Sequence, residues 1–422
     1  MSESTIYAAS WLINPDTPPI AGGALLVSDA RVVAVGTLSE LAVAHSAPVV
    51  EFPGSAIIPG FVNAHTHLEL THFPSWKLRT HVDYNPRSFV DWIIQLIKIR
   101  RGLKDEEILA SLREGVRMCL ESGTTAVGEI VTNPALTPHY HASPLAGRLF
   151  FELLGHNPDL FRRMRDRALA ACEEQTGRLA AGLSPHSPYT IGEEGLALIR
   201  EAASSRALPL AIHISESREE ADFVFDTSGP LAEQFYAFVG WQEYLIPPRH
   251  CSSTELLDRS GLLSPTTLAI HCVHVALSDA ETLKERGVSV VLCPRSNERL
   301  DVGKAPLHIF KKLGIPLALG TDSLASNDSL SLWEEMRFAL DLFKHDLSPV
   351  EVFSMVTSGG AAALGIAASC GSLEPGKLAD FQVVGNGGGG AEQVLERVVC
   401  EGAVQEVYVG GRRYEGGRYG TD

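Results

Sequence analysis

The chain of 422 residues is short of positive charge: 35 lysines and arginines stand against 51 aspartates and glutamates, a formal net charge of −16 at pH 7. Nucleic acid and anionic membrane both require a basic footprint, so neither is expected as a partner. No apolar run approaches the roughly 18 residues of a membrane-spanning helix. The opening Met1-Ser2-Glu3-Ser4-Thr5 has neither the basic nor the apolar stretch of a secretory signal. Cysteine is sparse: residues 119, 172, 251, 272, 293, 370 and 400, odd in number and without a CxxC pair. That excludes a disulfide framework and suits reduced thiols packed as small core residues. A cytoplasmic location is expected on these grounds. No internal repeat occurs at a fixed period. The glycine-rich run 385–390 is not followed by the Lys-Ser/Thr of a phosphate loop and reads as a flexible loop.

What the chain does have is an ordinary apolar fraction, 45%, and enough length for one barrel of about 250 residues plus a satellite. Apolar strand-like runs alternate with helical stretches through the middle of the chain, the pattern of a parallel α/β barrel. The expected strands are 56–65, 124–131, 149–155, 179–184, 210–214, 268–271, 288–292 and 317–320, the number a closed barrel requires. Helices are expected over 89–101, where Phe89, Ile93, Leu96 and Ile97 recur at helical spacing, and over 106–121 and 332–343. The ends differ. Residues 22–36 read as a hairpin turning near Ser28-Asp29-Ala30, and 381–384 and 404–409 as further short strands. The expected fold is α/β: a distorted (β/α)8 TIM barrel over 56–367, with a small β-sandwich domain built from both termini, 1–55 and 368–422.

Active sites of such barrels lie at the carboxyl ends of the strands. His65 and His67 end the first expected strand, and two imidazoles two residues apart on a strand face the same side. His213 ends the fifth, with Glu216 after it in His-Ile-Ser-Glu. His271 ends the sixth, in His-Cys-Val-His with His274, and Asp322 follows the eighth in Gly-Thr-Asp-Ser. His186 follows the fourth. A single strand-end histidine is more often structural than functional. Histidines at three strand ends with an aspartate at the eighth are hard to account for as packing, because unpaired polar groups are costly to bury, and imidazole is a common ligand for zinc-like ions.

These residues carry a resemblance. Pro-Gly-Phe-Val-Asn-Ala-His-Thr-His (59–67), His213 with Glu216, His271, Gly-Thr-Asp-Ser (320–323) and Gly-Ser-Leu-Glu-Pro-Gly-Lys-Leu-Ala-Asp (371–380) resemble the amidohydrolase superfamily over nearly the whole chain. Within it the chain resembles the mononuclear deaminase branch, which includes cytosine deaminase and S-adenosylhomocysteine deaminase. Binuclear members place a carboxylated lysine at the end of the fourth strand; residues 180–189 contain no lysine, which argues for one metal. His-Thr-His-Leu-Glu-Leu (65–70), Phe-Val-Asp-Trp-Ile-Ile (89–94) with Arg100-Arg101, and residues 322–337 look like 6-aminodeoxyfutalosine deaminases of menaquinone synthesis.

The resemblance implies that His65, His67, His213 and Asp322 hold one divalent metal, zinc or alternatively iron. It implies a hydrolase of C–N bonds that releases ammonia from an amino-purine nucleoside-like small molecule by attack of metal-activated water. Asp322 would take the proton of that water and pass it to the departing amine. His271 would orient and polarise the water, and Glu216 would protonate the ring nitrogen. Other nucleosides or nucleobases, and triazine-type C–N or C–Cl bonds, are alternative substrates; a noncatalytic barrel scaffold is the reading from another class. For substrate contacts the candidates are His186, Glu69, Trp92, Arg148 and Ser323, with Arg295 a further arginine near the seventh strand. The bland reading is a backbone-bonded histidine for His186, exposed surface for Glu69, helix-face packing for Trp92 and ion pairing for the arginines. His72, His81, His139, His141, His156 and His274 are read as solvated or as supporting residues. A homodimer is expected from the family.

Overall fold

The structure is a computed structural model and describes residues 4–79, 84–174, 177–385 and 387–416. His81 and Asn386 of the glycine-rich run lie outside the described residues. Eight parallel strands run in sequence order around a barrel: β1 (Phe61–Thr66), β2 (Thr124–Val131), β3 (Ala146–Leu153), β4 (Leu179–Pro185), β5 (Leu210–Ile214), β6 (Thr267–His271), β7 (Ser289–Leu292) and β8 (Leu317–Leu319). All the strands are short and apolar, as strands covered on both faces must be. Inward residues such as Val62, Ala126, Phe150, Ile270 and Val291 fill the lumen, while Phe61, Val127, Phe151 and Leu183 face the surrounding helices. The barrel closes where β8 runs on to Asp322: the Asp322 N–H donates to the His65 carbonyl at 3.1 Å. This approach needs a glycine just before it, because a Cβ on Gly320 would lie 2.7 Å from the Cβ of His65.

Three helices bear on the site. In α1 (Phe89–Arg101) the Ser88 hydroxyl caps the first turn by accepting from Asp91 N, and Lys98, Arg100 and Arg101 crowd the negative end of the helix dipole. Helix α2 (Asp105–Glu121) starts with Asp105, Glu106 and Glu107 and buries Leu112, Val116, Cys119 and Leu120. Helix α3 (Leu332–Phe343) packs Trp333, Met336 and Ala339 inward. No helix of the described residues is long and apolar enough to cross a membrane.

Both termini build a second eight-stranded sheet. Strand Val49–Pro59 is its centre, parallel to Thr5–Leu12 on one side and antiparallel to Phe381–Val384 on the other. The 22–36 hairpin turns at Asp29 and Ala30, both with positive φ (50° and 62°), between Gly23–Ser28 and Arg31–Thr37. A two-residue turn of that handedness matches the strand twist. Tyr7 and Tyr408 sit on strands separated by two others, yet their ring centroids are 5.1 Å apart. The sheet is therefore strongly coiled and encloses its own small core around Tyr7, Phe381 and Tyr408.

The expected first strand, 56–65, is in fact two. Residues up to Pro59 belong to the terminal sheet, and β1 starts at Phe61. The change of sheet occurs at Gly60, whose N–H donates to the Asp380 carbonyl. One continuous apolar run conceals it, because both sheets ask for the same residue types; the expected domain boundary at 55/56 falls inside this strand. β3 also starts three residues earlier than expected, at Ala146.

Candidate active site at the barrel mouth

Strand alternation alone would aim β1 wrongly. Val62 and Ala64 face the lumen, so His65 ought to face out. The pairing of β1 with β2 slips between Asn63 and Thr66: Asn63 pairs with Val127, Thr66 with Glu129. This bulge inserts one extra residue on β1 and re-aims His65 and His67 over the mouth. Backbone strain marks the other strand ends. Ser215, His271, Cys272 and Asp322 all have positive φ, 53°, 69°, 49° and 57°, a conformation costing about 1–3 kcal/mol at a non-glycine residue and found mostly at functional sites.

The result is one cluster. Donor atoms of His65, His67 and His213 lie within 4.8 Å of one another, as do those of His65, His271 and Asp322. Asp322 Oδ1 is 3.5 Å from Nε2 of both His65 and His67, and its other oxygen accepts from the hydroxyls of Ser296 (2.7 Å) and Ser326 (2.6 Å). His213 Nδ1–H donates to the His186 carbonyl at 2.8 Å, which turns Nε2 toward the cluster. Burial, with His65 beside it, holds His67 down to about 3, so its lone pair is free at neutral pH. His65 is 0% exposed and neither of its ring nitrogens has a hydrogen-bond partner. Orphaned buried nitrogens cost about 1–3 kcal/mol each. A cation taking the lone pair removes that cost at one of the two nitrogens, and three imidazoles with a carboxylate are a fitting donor set for one zinc-like divalent ion.

Two further groups flank the cluster. Glu216 Oε1 is 3.6 Å from His271 Nε2. Burial, and then the charges of Asp322 and Glu220, push the Glu216 carboxyl well above its usual range. His271 is pushed down to about 4 by burial. Around them is a cavity of about 420 Å³, the size of a small-molecule site. Phe89, Trp92, Ile93, Leu96 and Ile97 of α1 form one apolar wall, and Arg100, Arg101, Glu152, His186 and Ser323 also line it.

The expected substrate contacts divide. His186 and Ser323 line the cavity, and His186 Nδ1 also bonds the hydroxyls of Ser187 and Thr190. Trp92 lines it too, while its indole N–H donates to the Ala325 carbonyl. Glu69 does not line it. Its carboxylate turns back to the N–H of Thr132 (3.0 Å) and to Arg100 (3.1 Å), holding that arginine in the wall. Arg148 is at the wrong end of its strand: it points into the lumen at the base of β3 and donates to the carbonyls of Leu364 (2.9 Å) and Ala181. Arg295 is taken up by Asp328, Glu334 and Glu335. His274 bonds the Val302 carbonyl, and His156 the Tyr236 hydroxyl. Sequence reasoning passed over Asn297, which orients His271, and Glu152. The signal for Glu152 was a lone charge inside Leu-Phe-Phe-Glu-Leu-Leu (149–154).

Residues 56–414 match the model of the amidohydrolase family. The chain belongs to the amidohydrolase family. It is a hydrolase of C–N bonds. This amidohydrolase is 30% identical over 361 residues to the aminodeoxyfutalosine deaminase of Deinococcus radiodurans, covering 82% of this chain and 81% of that protein. It is 31% identical over 398 residues to a 5-methylthioadenosine/S-adenosylhomocysteine deaminase of Nitratidesulfovibrio vulgaris, covering 89% and 82%. Among solved structures, Helicobacter pylori aminofutalosine deaminase superposes with a TM-score of 0.83 at 23% identity, over 97% of this chain and 100% of that one. An adenosine deaminase of Xanthomonas campestris with bound zinc gives 0.79 at 24%, over 98% and 93%. At these identities the structural likeness establishes the amidohydrolase barrel.

Proposed function

We propose that the protein is a metal-dependent nucleoside deaminase, with 6-aminodeoxyfutalosine as its substrate. The observation that carries the chemistry is the placement of Glu216, His271 and Asp322 beside the orphaned His65, at the floor of a cavity of about 420 Å³. His65, His67, His213 and Asp322 are the ligands in this reading, and zinc the metal. When bound, the ion supplies a Lewis acid that lowers the pKa of water toward about 7.

The protein's own groups do the rest. Glu216, whose carboxyl is pushed well above its usual range by burial, hands a proton to the ring nitrogen next to the amino-bearing carbon as water adds there. Asp322 Oδ1 accepts the proton that the water gives up, while Ser296 and Ser326 hold its other oxygen still. His271 faces the same point with the Nε2 lone pair. Asp322 passes the accepted proton to the amine, the added hydroxyl returns its remaining proton to Glu216, the C–N bond breaks, ammonia leaves and a carbonyl remains. His186 sits beside the bound base.

The Deinococcus relative supports the choice of substrate, as does a cavity larger than a nucleobase needs, with an apolar wall and two arginines. The match to methylthioadenosine/S-adenosylhomocysteine deaminases supports a second reading within the same chemistry. The experiment is ammonia release by metal-loaded protein from 6-aminodeoxyfutalosine, adenosine, 5′-deoxyadenosine, S-adenosylhomocysteine, methylthioadenosine, cytosine, guanine and a chlorotriazine. Fast release from the first alone is expected. Faster turnover of another nucleoside replaces the substrate and keeps the mechanism; turnover of the triazine alone discards the nucleoside reading.

A further inference from the structure

One carboxylate in the cavity has no part in the chemistry above. On β3, Ala146 and Phe150 face the lumen, so alternation carries Arg148 and Glu152 to the same side. Arg148 is at the base and Glu152 at the mouth, in one wall with His186 and Glu216. Glu69, Glu220 and Asp322 are each held by hydrogen bonds from the protein. Glu152 has no hydrogen-bond or ion-pair partner among the described residues. Its register partner on β4, Ser184, is fully buried, and that hydroxyl has no partner either. Adjacent unsatisfied polar groups at a cavity are costly unless a ligand or water completes them.

Charge narrows what that ligand offers. Arg100 and Arg101 line the same cavity and disfavour a cation; Glu152 itself disfavours an anion. A neutral pair of hydroxyls suits a carboxylate, which accepts through both oxygens. Strand order then sets the distance. β3, β4 and β5 are consecutive neighbours, spaced by roughly 4.8 Å. Glu152 ends β3, His186 follows β4, and His213 with Glu216 ends β5. Two spacings, roughly 10 Å, with His186 between, match the reach from the reacting carbon of a purine to the hydroxyls of its sugar.

We propose that Glu152 is the specificity residue that binds the vicinal 2′- and 3′-hydroxyls of a ribonucleoside substrate. This rests on the nucleoside reading above. The test compares kcat/KM for the nucleoside of that panel turned over fastest by the wild-type protein (6-aminodeoxyfutalosine by our reading) with its 2′,3′-dideoxy counterpart. Wild-type protein is expected to prefer the ribonucleoside by about 100-fold, the range of a charged hydrogen bond. In Glu152→Ala the ratio should collapse to within about threefold, with bound metal unchanged. If the alanine variant does not fold, Glu152→Gln, which keeps one acceptor oxygen, should give an intermediate ratio. A wild-type ratio that survives in the variants overturns the role of Glu152 and leaves the deaminase reading intact. Absence of turnover of any nucleoside by the wild-type protein overturns both.

Discussion

Asn297 Oδ1 lies 2.9 Å from His271 Nδ1, and this contact decides which nitrogen of His271 serves the cavity. A carbonyl oxygen can only accept, so Nδ1 carries the proton and Nε2 presents its lone pair. Asn297→Ala should free the ring to rotate and change tautomer. We expect kcat to fall by about 10–100-fold with metal content unchanged. Steady-state kinetics with metal analysis checks this, and wild-type kcat would remove Asn297 from the site's support.

His65→Ala should abolish metal binding and activity together. In the wild-type protein, added zinc should raise the midpoint of thermal unfolding, because an ion bound only to the folded state stabilises it. In the variant the midpoint should not respond. A metal-loaded, active His65→Ala protein would contradict the ligand assignment.

Glu216→Gln keeps the shape and removes the transferable proton. We expect metal binding to persist while kcat drops by about 1000-fold, within the range of lost acid–base catalysis. Wild-type turnover would exclude Glu216 as the proton donor.

His156 gives a pH dependence separable from the metal site. Burial pushes its imidazole down to about 4, against about 6.5 in an unfolded chain. Between those values the unfolded state holds a proton that the folded state does not, so stability is full above pH 6.5 and is lost as pH falls toward 4. Urea unfolding of metal-free protein should therefore show a smaller loss from pH 7.5 to pH 4.5 in His156→Gln than in wild type. Equal losses would assign the dependence to other groups.

Arg148→Ala should damage stability rather than substrate recognition. The carbonyls of Leu364 and Ala181 lose their donor at the barrel base, a cost of about 2–4 kcal/mol. Urea unfolding should show it, with KM unchanged within about twofold. A large rise in KM would put Arg148 back among substrate contacts.

Much of this was legible because it is local. Parallel barrel strands are apolar runs, so β2 and β5 were foreseen to the residue and the rest within a few, except β1, whose expected run joined two strands of different sheets. Strand-end histidines announce themselves once the strands are placed. What was not legible depends on height and on pairing. Arg148 and Glu152 share one face of β3, and the strand's early start decides that one meets the base and the other the mouth. Glu69 sits in the turn Leu68–Leu70, which swings its carboxylate away from the cavity toward Arg100. The bulge that aims His65 exists only as a mismatch between β1 and β2, and no residue of β1 alone encodes it.

The central strand of the terminal sheet has a consequence for how the protein is made. Val49–Pro59 is bordered by Phe381–Val384, and the Gln382 side chain bonds the Pro59 carbonyl across 323 residues. The Tyr7 hydroxyl reaches Gly411 across 404. On the ribosome, the first strands emerge long before their neighbour is synthesised, and they wait with an open edge, the kind of surface that recruits other chains. Pairings this distant in sequence also form slowly. Synthesis of Phe381–Val384 and the strands after it is thus the step that seals the sheet, and a chain interrupted before them would expose that edge beside a largely completed barrel.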